Sequence, residues 1–531
     1  MSVEPSLNDI ISVVGFEPYA VIQYGSRVAG YASQDSDYDY IYIVDGYKPR
    51  IRYVYRRAGD IYLSILVVDR VFFEEDIETG VHGEFVAGRL YGVYKPLYNR
   101  EYVESMEFML KKRAVLEELS LLKIKYGGFL RYMKIPLKYF LLSRLWKRIM
   151  AYPPVRYSYY KMFYGSRGAE NFRLALEKFE AACREYMEEG LLSLVDGYVV
   201  DVDVSRVPSS PSEVVKYLVR GLSMYYTHGM SASVGIDVFL DELRSKLSRG
   251  GESIRIPREL ENPEITLSMD RCFFTVEDLD IESIVKSIFG PGARVIAIRR
   301  KGLLSSLSLV DVDLDGGVKR LVVKKFPLYS SLLKWIWIFT WLYGYKYFEV
   351  DPTRRMFREF HGLFMLRDRG FKVPKVYGVV WPERLIIEEY IEGTRLDKYD
   401  DTEDGYLKYG YLIGRIHREL GVSIGDTKPQ NVIISGGEPY IVDLEQFGLD
   451  TNLEWDLGEA MLYSFILGRR WGEVEQIVKS FLTGYLSACG SCIDVLERIL
   501  SPRIIIAFAP LVPLNIIYRI RKSIDRLLLS S

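Results

Sequence analysis

The chain has 531 residues, 49% of them hydrophobic, with 70 lysines and arginines set against 71 aspartates and glutamates. That length is too great for one core and implies about three domains, and the balanced charge excludes a protein that binds nucleic acid through a global basic field. Four cysteines, with only Cys489 and Cys492 in a C-x-x-C spacing, supply neither a disulfide framework nor a complete zinc site; the pair reads as helix packing, in a reducing, cytoplasmic compartment.

Asn and Gln together number twelve beside many charged residues, which fits a protein made for high temperature. Residues 1–15 carry Glu4 and Asp9 and lack the basic-then-apolar order of a leader. The apolar stretches 335–345 and 504–518 span eleven and fifteen residues, the second broken by Pro510 and Pro513. Both fall short of the roughly 20 residues of a bilayer crossing, so no transmembrane segment is expected.

In chain order, residues 20–24 read as a short strand that runs directly into Gly25-Ser26. A turn-rich segment (Gly30, Ser33, Asp35, Ser36) leads to a second strand over 37–43, where the period of two sets Asp37 and Asp39 on one face. Two neighbouring carboxylates repel unless a cation lies between them, and a divalent metal carrying a nucleoside triphosphate is the economical explanation. Gly25 permits close backbone approach and the Ser26 hydroxyl can bond a phosphate oxygen.

The run YGSRVAGYASQDSDYDYIYIV resembles the DNA polymerase beta-like nucleotidyltransferases, especially their minimal prokaryotic forms, over about the first hundred residues. The resemblance implies that Gly25 and Ser26 hold phosphates and that Asp37 and Asp39 hold Mg²⁺ on a second nucleoside triphosphate. The family adds a third acidic residue in a later strand. Here the matching strand, 61–68, has Ser64 in its middle and is only bracketed by Asp60 and Asp69, so nucleotidyl transfer and nucleotide binding alone stand side by side. The basic cluster 50–57 reads either as a contact site or as a solvated face, and the glycines between 83 and 92 as structural.

Residues 101–126 and 168–189 carry apolar residues at helical spacing. Between them, 134–160 mixes Lys, Arg, Tyr and Pro, a composition that suits RNA or a phosphorylated ligand but that the chain's general wealth of tyrosine explains more simply. A strand over 198–204 and helices over 211–226 and 238–247 follow. Arg249-Gly250-Gly251 and two prolines then break any periodicity. The expected organisation is α+β and multidomain: a nucleotidyltransferase fold over 1–100, a mainly helical region over 101–250, a linker over 251–274 and a bilobal protein-kinase-like fold over 275–531.

Strands over 293–299 and 307–314 flank a small loop, 302–306, and Asp315-Gly316-Gly317 turns the chain tightly into a third strand over 319–326. Lys324 ends an apolar run in that strand, and Lys325 points to the other face. A helix over 354–369 carries Glu359, which the protein-kinase resemblance set out below implies is the ion-pair partner of Lys324. The aromatic insert 327–347 between them has no assigned role. Strands over 373–378 and 385–393 follow, then a helix over 411–417 that ends in His417. Residues 424–448 next place Asp426, Lys428, Asn431 and Asp443 within eighteen positions. Phosphoryl transfer asks a protein for little beyond positioning and charge neutralisation: Asp426 can accept a hydroxyl proton, and Asn431 and Asp443 can hold Mg²⁺ on the nucleotide phosphates. Asp456, at a helix start, reads as a brace that accepts backbone hydrogen bonds from this loop.

The order D-x-K-P-x-N followed by a strand-borne Asp resembles the catalytic and metal-binding segments of protein kinases, and the whole of 275–531 resembles the RIO and KEOPS-complex type of small archaeal serine/threonine kinase. The resemblance implies ATP and Mg²⁺, with Lys324 as the cation for the α- and β-phosphates and Ser305 and Ser306 covering them. It implies further that the linker from Glu389 to Ile391 offers backbone groups to adenine, that Asp426 is the base, and that Asn431 and Asp443 are metal ligands. Asp443-Leu444-Glu445 replaces Asp-Phe-Gly and no Ala-Pro-Glu segment follows, so regulation by loop phosphorylation is not expected. Lys428 favours a protein substrate bearing Ser or Thr. The alternatives are a small-molecule (aminoglycoside-like) phosphotransferase, and a nucleotidyltransferase of toxin–antitoxin or stress-response type with a regulatory kinase.

Overall fold

In the computed structural model, which describes residues 4–34, 36–58, 61–209, 256–300, 307–314, 316–327, 348–448, 452–466, 471–490, 492–499, 501–502, 504–505 and 512–530, the chain is a mixed α+β protein. It divides into two units, Met1–Asp270 and Arg271–Ser531. The helices expected over 211–226 and 238–247, Ser305, Ser306 and the insert from 328 to 347 lie outside the described residues.

The first unit begins with α1 (Leu7–Val14), capped at its start by Ser6. A five-stranded sheet follows in the order β3-β4-β2-β1-β5, from β1 (Ala20–Tyr24), β2 (Tyr38–Val44), β3 (Ile51–Ala58), β4 (Ile61–Asp69) and β5 (Lys95–Tyr98). The pair β2 and β4 is parallel and central, so both strands read as nearly continuous apolar runs with Tyr40, Ile41, Ile43, Ile65, Leu66 and Val67 fully buried. The short α2 (Ser26–Ala29) lies between β1 and β2, and α3 (Arg70–Thr79) follows β4 with Asp69 as its cap. The basic cluster 50–57 is the edge strand β3, with Arg50 reaching Glu75 at 3.0 Å.

Four long helices complete this unit: α4 (Arg100–Tyr126), α5 (Leu137–Ala151), α6 (Val155–Tyr164) and α7 (Gly168–Glu188). They are tied to the first hundred residues by buried polar contacts. Glu84 pairs with Arg113 at 2.7 Å and with Arg144 at 3.4 Å, and Asn171 Nδ2 donates to Ala29 O at 2.9 Å. The Lys/Arg/Tyr-rich stretch 134–160 is spent inside the unit: Lys147 holds Glu118 at 2.5 Å, Arg148 donates to Glu84 O and Lys138 pairs with Glu259 at 2.6 Å. Residues 256–270 also belong here. Leu260 of α8 (Arg258–Glu261) is fully buried, and Tyr126 donates to Glu264 at 2.6 Å.

The second unit opens with a six-stranded sheet in the order β10-β14-β15-β13-β12-β11. After β6 to β9 of the first unit (Met133–Pro136, Ser193–Val195, Tyr198–Val200, Ser268–Met269), these are β10 (Phe273–Thr275), β11 (Arg294–Arg300), β12 (Leu307–Leu314), β13 (Gly317–Lys325), β14 (Val376–Val380) and β15 (Leu385–Glu389). One face is covered by α9 (Ile281–Phe289), whose apolar residues recur at helical spacing and pack Ile284 and Val285 against Val310, Val312, Leu321, Val323 and Ile387. The helix α10 (Pro352–Asp368), started by Asp351 as cap and Pro352 at its first position, carries Glu359.

Beyond a small sheet of β16 (Thr394–Arg395), β17 (Val432–Ser435) and β18 (Glu438–Ile441), the rest is helical. The chief members are α11 (Thr402–Leu420), α12 (Leu453–Ile466) and α13 (Trp471–Ala488). A side chain at Gly410 would collide with the Phe481 carbonyl and one at Gly484 with the Leu407 carbonyl, so glycine lets α11 and α13 meet backbone to backbone. The Cys489–Cys492 pair corrects the expectation of mere helix packing. Cys489 follows α13 and Cys492 caps α14 (Ile493–Arg498), a turn that brings their Cα atoms to 5.3 Å and joins them in a disulfide. After α15 (Leu514–Ser530), no helix among the described residues is long and apolar enough to cross a membrane.

Candidate active site

The loop that carries Asp426 is held by one buried carboxylate. Asp456, at the start of α12, accepts from Ile424 N at 2.6 Å, Gly425 N at 2.9 Å, Ser423 Oγ at 2.9 Å and His417 Nε2 at 3.0 Å. The second turn of the same helix supplies Glu459, which takes Thr427 N at 2.8 Å. Gly425 has a φ of 90° and a Cβ there would strike the Gln446 carbonyl, so only glycine fits before the Asp. With its flanks fixed, Asp426 turns Oδ2 to Lys428 Nζ at 3.0 Å, while its Oδ1 is buried without a hydrogen-bond partner. Burial works against the Lys428 charge, but Asp426 and Glu459 outweigh it and hold the proton on. Asn431 Nδ2 donates to Asp426 O at 3.3 Å, which turns its amide oxygen away from that carbonyl.

The second half of the site comes from the sheet and α10. Lys324 Nζ is bonded to Glu359 Oε1 and donates to Val442 O at 2.6 Å, beside Asp443. Glu359 is fully buried, and its other oxygen takes Leu444 N, so one α10 side chain ties the β13 lysine to the segment after β18. Glu388 Oε2, from β15, is 3.4 Å from Lys324 Nζ. Burial alone would strip the Lys324 proton, but Glu359, Glu388 and Asp443 outweigh it and raise its affinity for the proton. Burial pushes the Glu359 and Glu388 carboxyls upward, against the pull of Lys324, and Asp443 adds to the rise. Behind Asp443, Arg355 pairs with Glu445, whose carboxyl burial pushes up to about 7, and Gln446 exchanges two hydrogen bonds with the Glu349 backbone.

The structure thus brings Lys324, Glu359 and the Val442–Leu444 backbone into direct contact, and Asp426, Lys428 and Asn431 into the one loop that precedes β17. Glu389 and Ile391 line a different cleft, of about 520 Å³, with Arg367, Phe371, Lys372 and Tyr440. Glu389 N is committed to Lys375 O at 2.8 Å and its carboxylate to Lys375 N at 3.1 Å. Glu388 was not singled out from sequence; only the register of β15 on β13, which sets it opposite Val322, two residues from Lys324, reveals its place. The Glu349–Gln446 and Arg355–Glu445 pairs left no local trace in sequence. Among the described residues no group of three or more His, Cys, Asp or Glu side chains is arranged to hold a metal. Asn431 and Asp443 suit Mg²⁺ all the same, because that ion is commonly bound by one or two protein oxygens plus phosphates and water.

In the first unit, Gly25 has a φ of 83° and any side chain on it would overlap the Asp39 carboxylate. Asp39 sits opposite Tyr24 on β1 and opposite Ser64 on β4, and Ser64 is buried. Asp37, two residues earlier on the same face, takes a long hydrogen bond of 3.4 Å from Tyr55. Ser26 opens α2, directly after Gly25. Gly25 and Asp39 therefore meet where β1 and β2 pair, with the buried Ser64 of β4 on the other side of Asp39.

No family model matches the chain. It is 29% identical over 119 residues to the KEOPS complex subunit Bud32 of Pyrococcus abyssi (strain GE5 / Orsay), a match that takes in 21% of this chain. The chain spans about half the length of that curated relative, 54%. Among solved structures it is similar to choline kinase LicA from Streptococcus pneumoniae at 17% identity and a TM-score of 0.24, over 46% of this chain and 99% of that one.

Proposed function

We propose that the second unit is an ATP- and Mg²⁺-dependent kinase that transfers the γ-phosphoryl group to a Ser or Thr hydroxyl of a protein. The observation that carries the reading is the bond from Lys324 Nζ to Val442 O, 118 residues further along the chain, which sets a buried ammonium beside Asp443. An ammonium for the phosphates, a carboxylate and an amide for the metal, and a base with an uncommitted oxygen are the parts that phosphoryl transfer uses. Partial similarity to a KEOPS complex subunit supports the kinase class.

In this reading Lys324 binds the α- and β-phosphates and Glu359 keeps it extended. Asp426 Oδ1 accepts the proton of the attacking hydroxyl, while Lys428, pinned on Oδ2, offsets the charge that gathers around the γ-phosphate. Asn431 and Asp443 would hold Mg²⁺, which when bound neutralises charge on the phosphates. Lys428 favours a protein acceptor over a small molecule. The test is γ-labelled ATP offered with a protein acceptor mixture and, separately, with choline and aminoglycosides. Label on the small molecules alone would replace the protein-kinase reading, and label that survives Asp426→Asn would remove Asp426 as base.

A second reading concerns the first unit, and the close approach of Gly25 to Asp39 favours it. Gly25 and Ser26 bind the phosphates of a second nucleoside triphosphate, Asp37 and Asp39 carry its Mg²⁺, and a nucleoside monophosphate is the group transferred. Ser64 cannot take a proton from an attacking hydroxyl as a carboxylate would, so transfer should be slow. Incorporation of α-label from nucleoside triphosphates that Asp39→Asn abolishes would establish it; no incorporation with wild-type protein would leave a binding domain.

A further inference from the structure

The lysine that should greet a nucleotide has no donor to spare. An ammonium carries three N–H groups, and Lys324 meets three acceptors: Glu359 Oε1, Val442 O at 2.6 Å and Glu388 Oε2 at 3.4 Å. Glu359 and Val442 anchor it to α10 and to the Asp443 segment. The Glu388 contact is the loosest of the three.

Register explains why Glu388 is there. Lys324 stands opposite Ile386 and Val322 opposite Glu388 in the antiparallel β13–β15 pair, so Ile386 and Glu388 share the face of Lys324. Leu321, Val323 and Ile387 occupy the other face, in the core under α9. Glu388 is only 1% exposed, and its Oε1 is buried without a hydrogen-bond donor. A carboxyl is a costly choice for such a place on packing grounds, where an aliphatic residue would serve. The charged groups that face it are Lys324 from β13, Glu359 from α10 and Asp443 after β18. That is three carboxyls on one ammonium.

We propose that Glu388 is a positioning residue that occupies the third N–H of Lys324 until a nucleotide phosphate oxygen displaces it, and that it thereby sets the affinity of the site for nucleoside triphosphate. The inference rests on the kinase reading of the second unit. No covalent bond changes: one hydrogen bond from Lys324 passes from carboxylate to phosphate. Removal of the competitor frees that N–H and strengthens nucleotide binding. Glu388 touches no reacting atom, so the effect falls on KM for ATP and not on kcat.

The experiment is a titration of the full chain with Mg·ATP, for wild type, Glu388→Leu and the isosteric Glu388→Gln, each alone and with Lys324→Met, together with steady-state kinetics and thermal melting. Glu388→Leu is expected to tighten ATP roughly 5–10-fold, the scale of one charge-assisted hydrogen bond, and Glu388→Gln less, with kcat unchanged. Both gains vanish in the Lys324→Met background, because the coupling runs through that lysine. A Kd equal to wild type, a weaker Kd in a Glu388→Gln protein that melts normally, or tightening that persists with Lys324→Met would overturn the proposal. If wild type binds ATP and the variants match it, only the role of Glu388 falls. If wild type and all variants bind none, the kinase reading falls with it.

Discussion

Both units bury charge, and they do it in opposite ways. In the first, Glu84, Glu117 and Glu118 face Arg113, Arg144 and Lys147, and every partner is matched: Arg113 holds Glu84 and Glu117, Arg144 holds all three acids, and Lys147 holds Glu118. In the second, Glu359, Glu388 and Asp443 surround Lys324 alone. A balanced network satisfies itself and can only serve structure. An acid excess around one ammonium is unstable as an end in itself, and becomes sensible when a divalent cation and phosphates complete it.

The largest effect that could break this contrast lies in the acid-rich site. Asp426→Asn should lower phosphoryl transfer about 10³-fold, measured with γ-labelled ATP. Its melting temperature should stay near wild type, because Oδ1 has no partner to lose and an amide can still accept from Lys428. A large drop in stability with retained rate would make the residue structural and erase the distinction between the two units.

How much of this could be read beforehand follows the distance along the chain over which each feature is built. Asp426, Lys428, Asn431 and Asp443 fall in one short segment with its own turn chemistry, so their grouping was legible. Lys324 and Glu359 were legible only through the kinase resemblance, since an apolar strand ending in Lys and a following helix with a Glu do not by themselves say that the two side chains meet. The strand β3 was missed because Arg52, Arg56 and Arg57 break its apolar alternation at a sheet edge. The helix α9 was also missed, though Asp280 as cap and Ile281, Ile284, Val285 and Ile288 at helical spacing announce it. Glu388 could not be told from Glu389 without the register of β13 on β15, because a one-residue shift exchanges the two faces.

Next in size is the balanced network. Arg144 is 3% exposed and is shared by three glutamates, so Arg144→Met should cost about 3–5 kcal/mol of unfolding free energy by leaving buried carboxylates under-compensated. Chemical denaturation of the full chain measures it, and a two-step transition would assign the loss to the first unit. Phosphoryl transfer by the second unit should be unchanged. A fall in that activity at temperatures where the variant is folded would mean that the network does more than hold α4 and α5 together.

Asp456 tests the reverse case, a structural carboxylate placed within the unit we propose to be a kinase. Asp456→Ala removes the acceptor of two backbone N–H groups, a hydroxyl and an imidazole, and should destabilise by about 2–3 kcal/mol. It should also lower kcat more than it raises KM, because the loop that aims Asp426 loses its anchor while Lys324 keeps its own. Equal kinetics with reduced stability would confine Asp456 to folding.

The smallest effect is a slope. Burial lowers the Lys147 ammonium to about 8, only partly offset by Glu118, against an ordinary value of 10.5. Between those values the unfolded chain binds the proton that the folded chain has released, so stability should rise with pH across the window from about 8 to 10.5. A single group can contribute at most about 1.4 kcal/mol per pH unit there. Lys147→Gln should flatten this part of the stability curve while leaving a hydrogen-bond donor for Glu118. A slope that survives the substitution would place the titration elsewhere and leave the Lys147–Glu118 pair charged across the window.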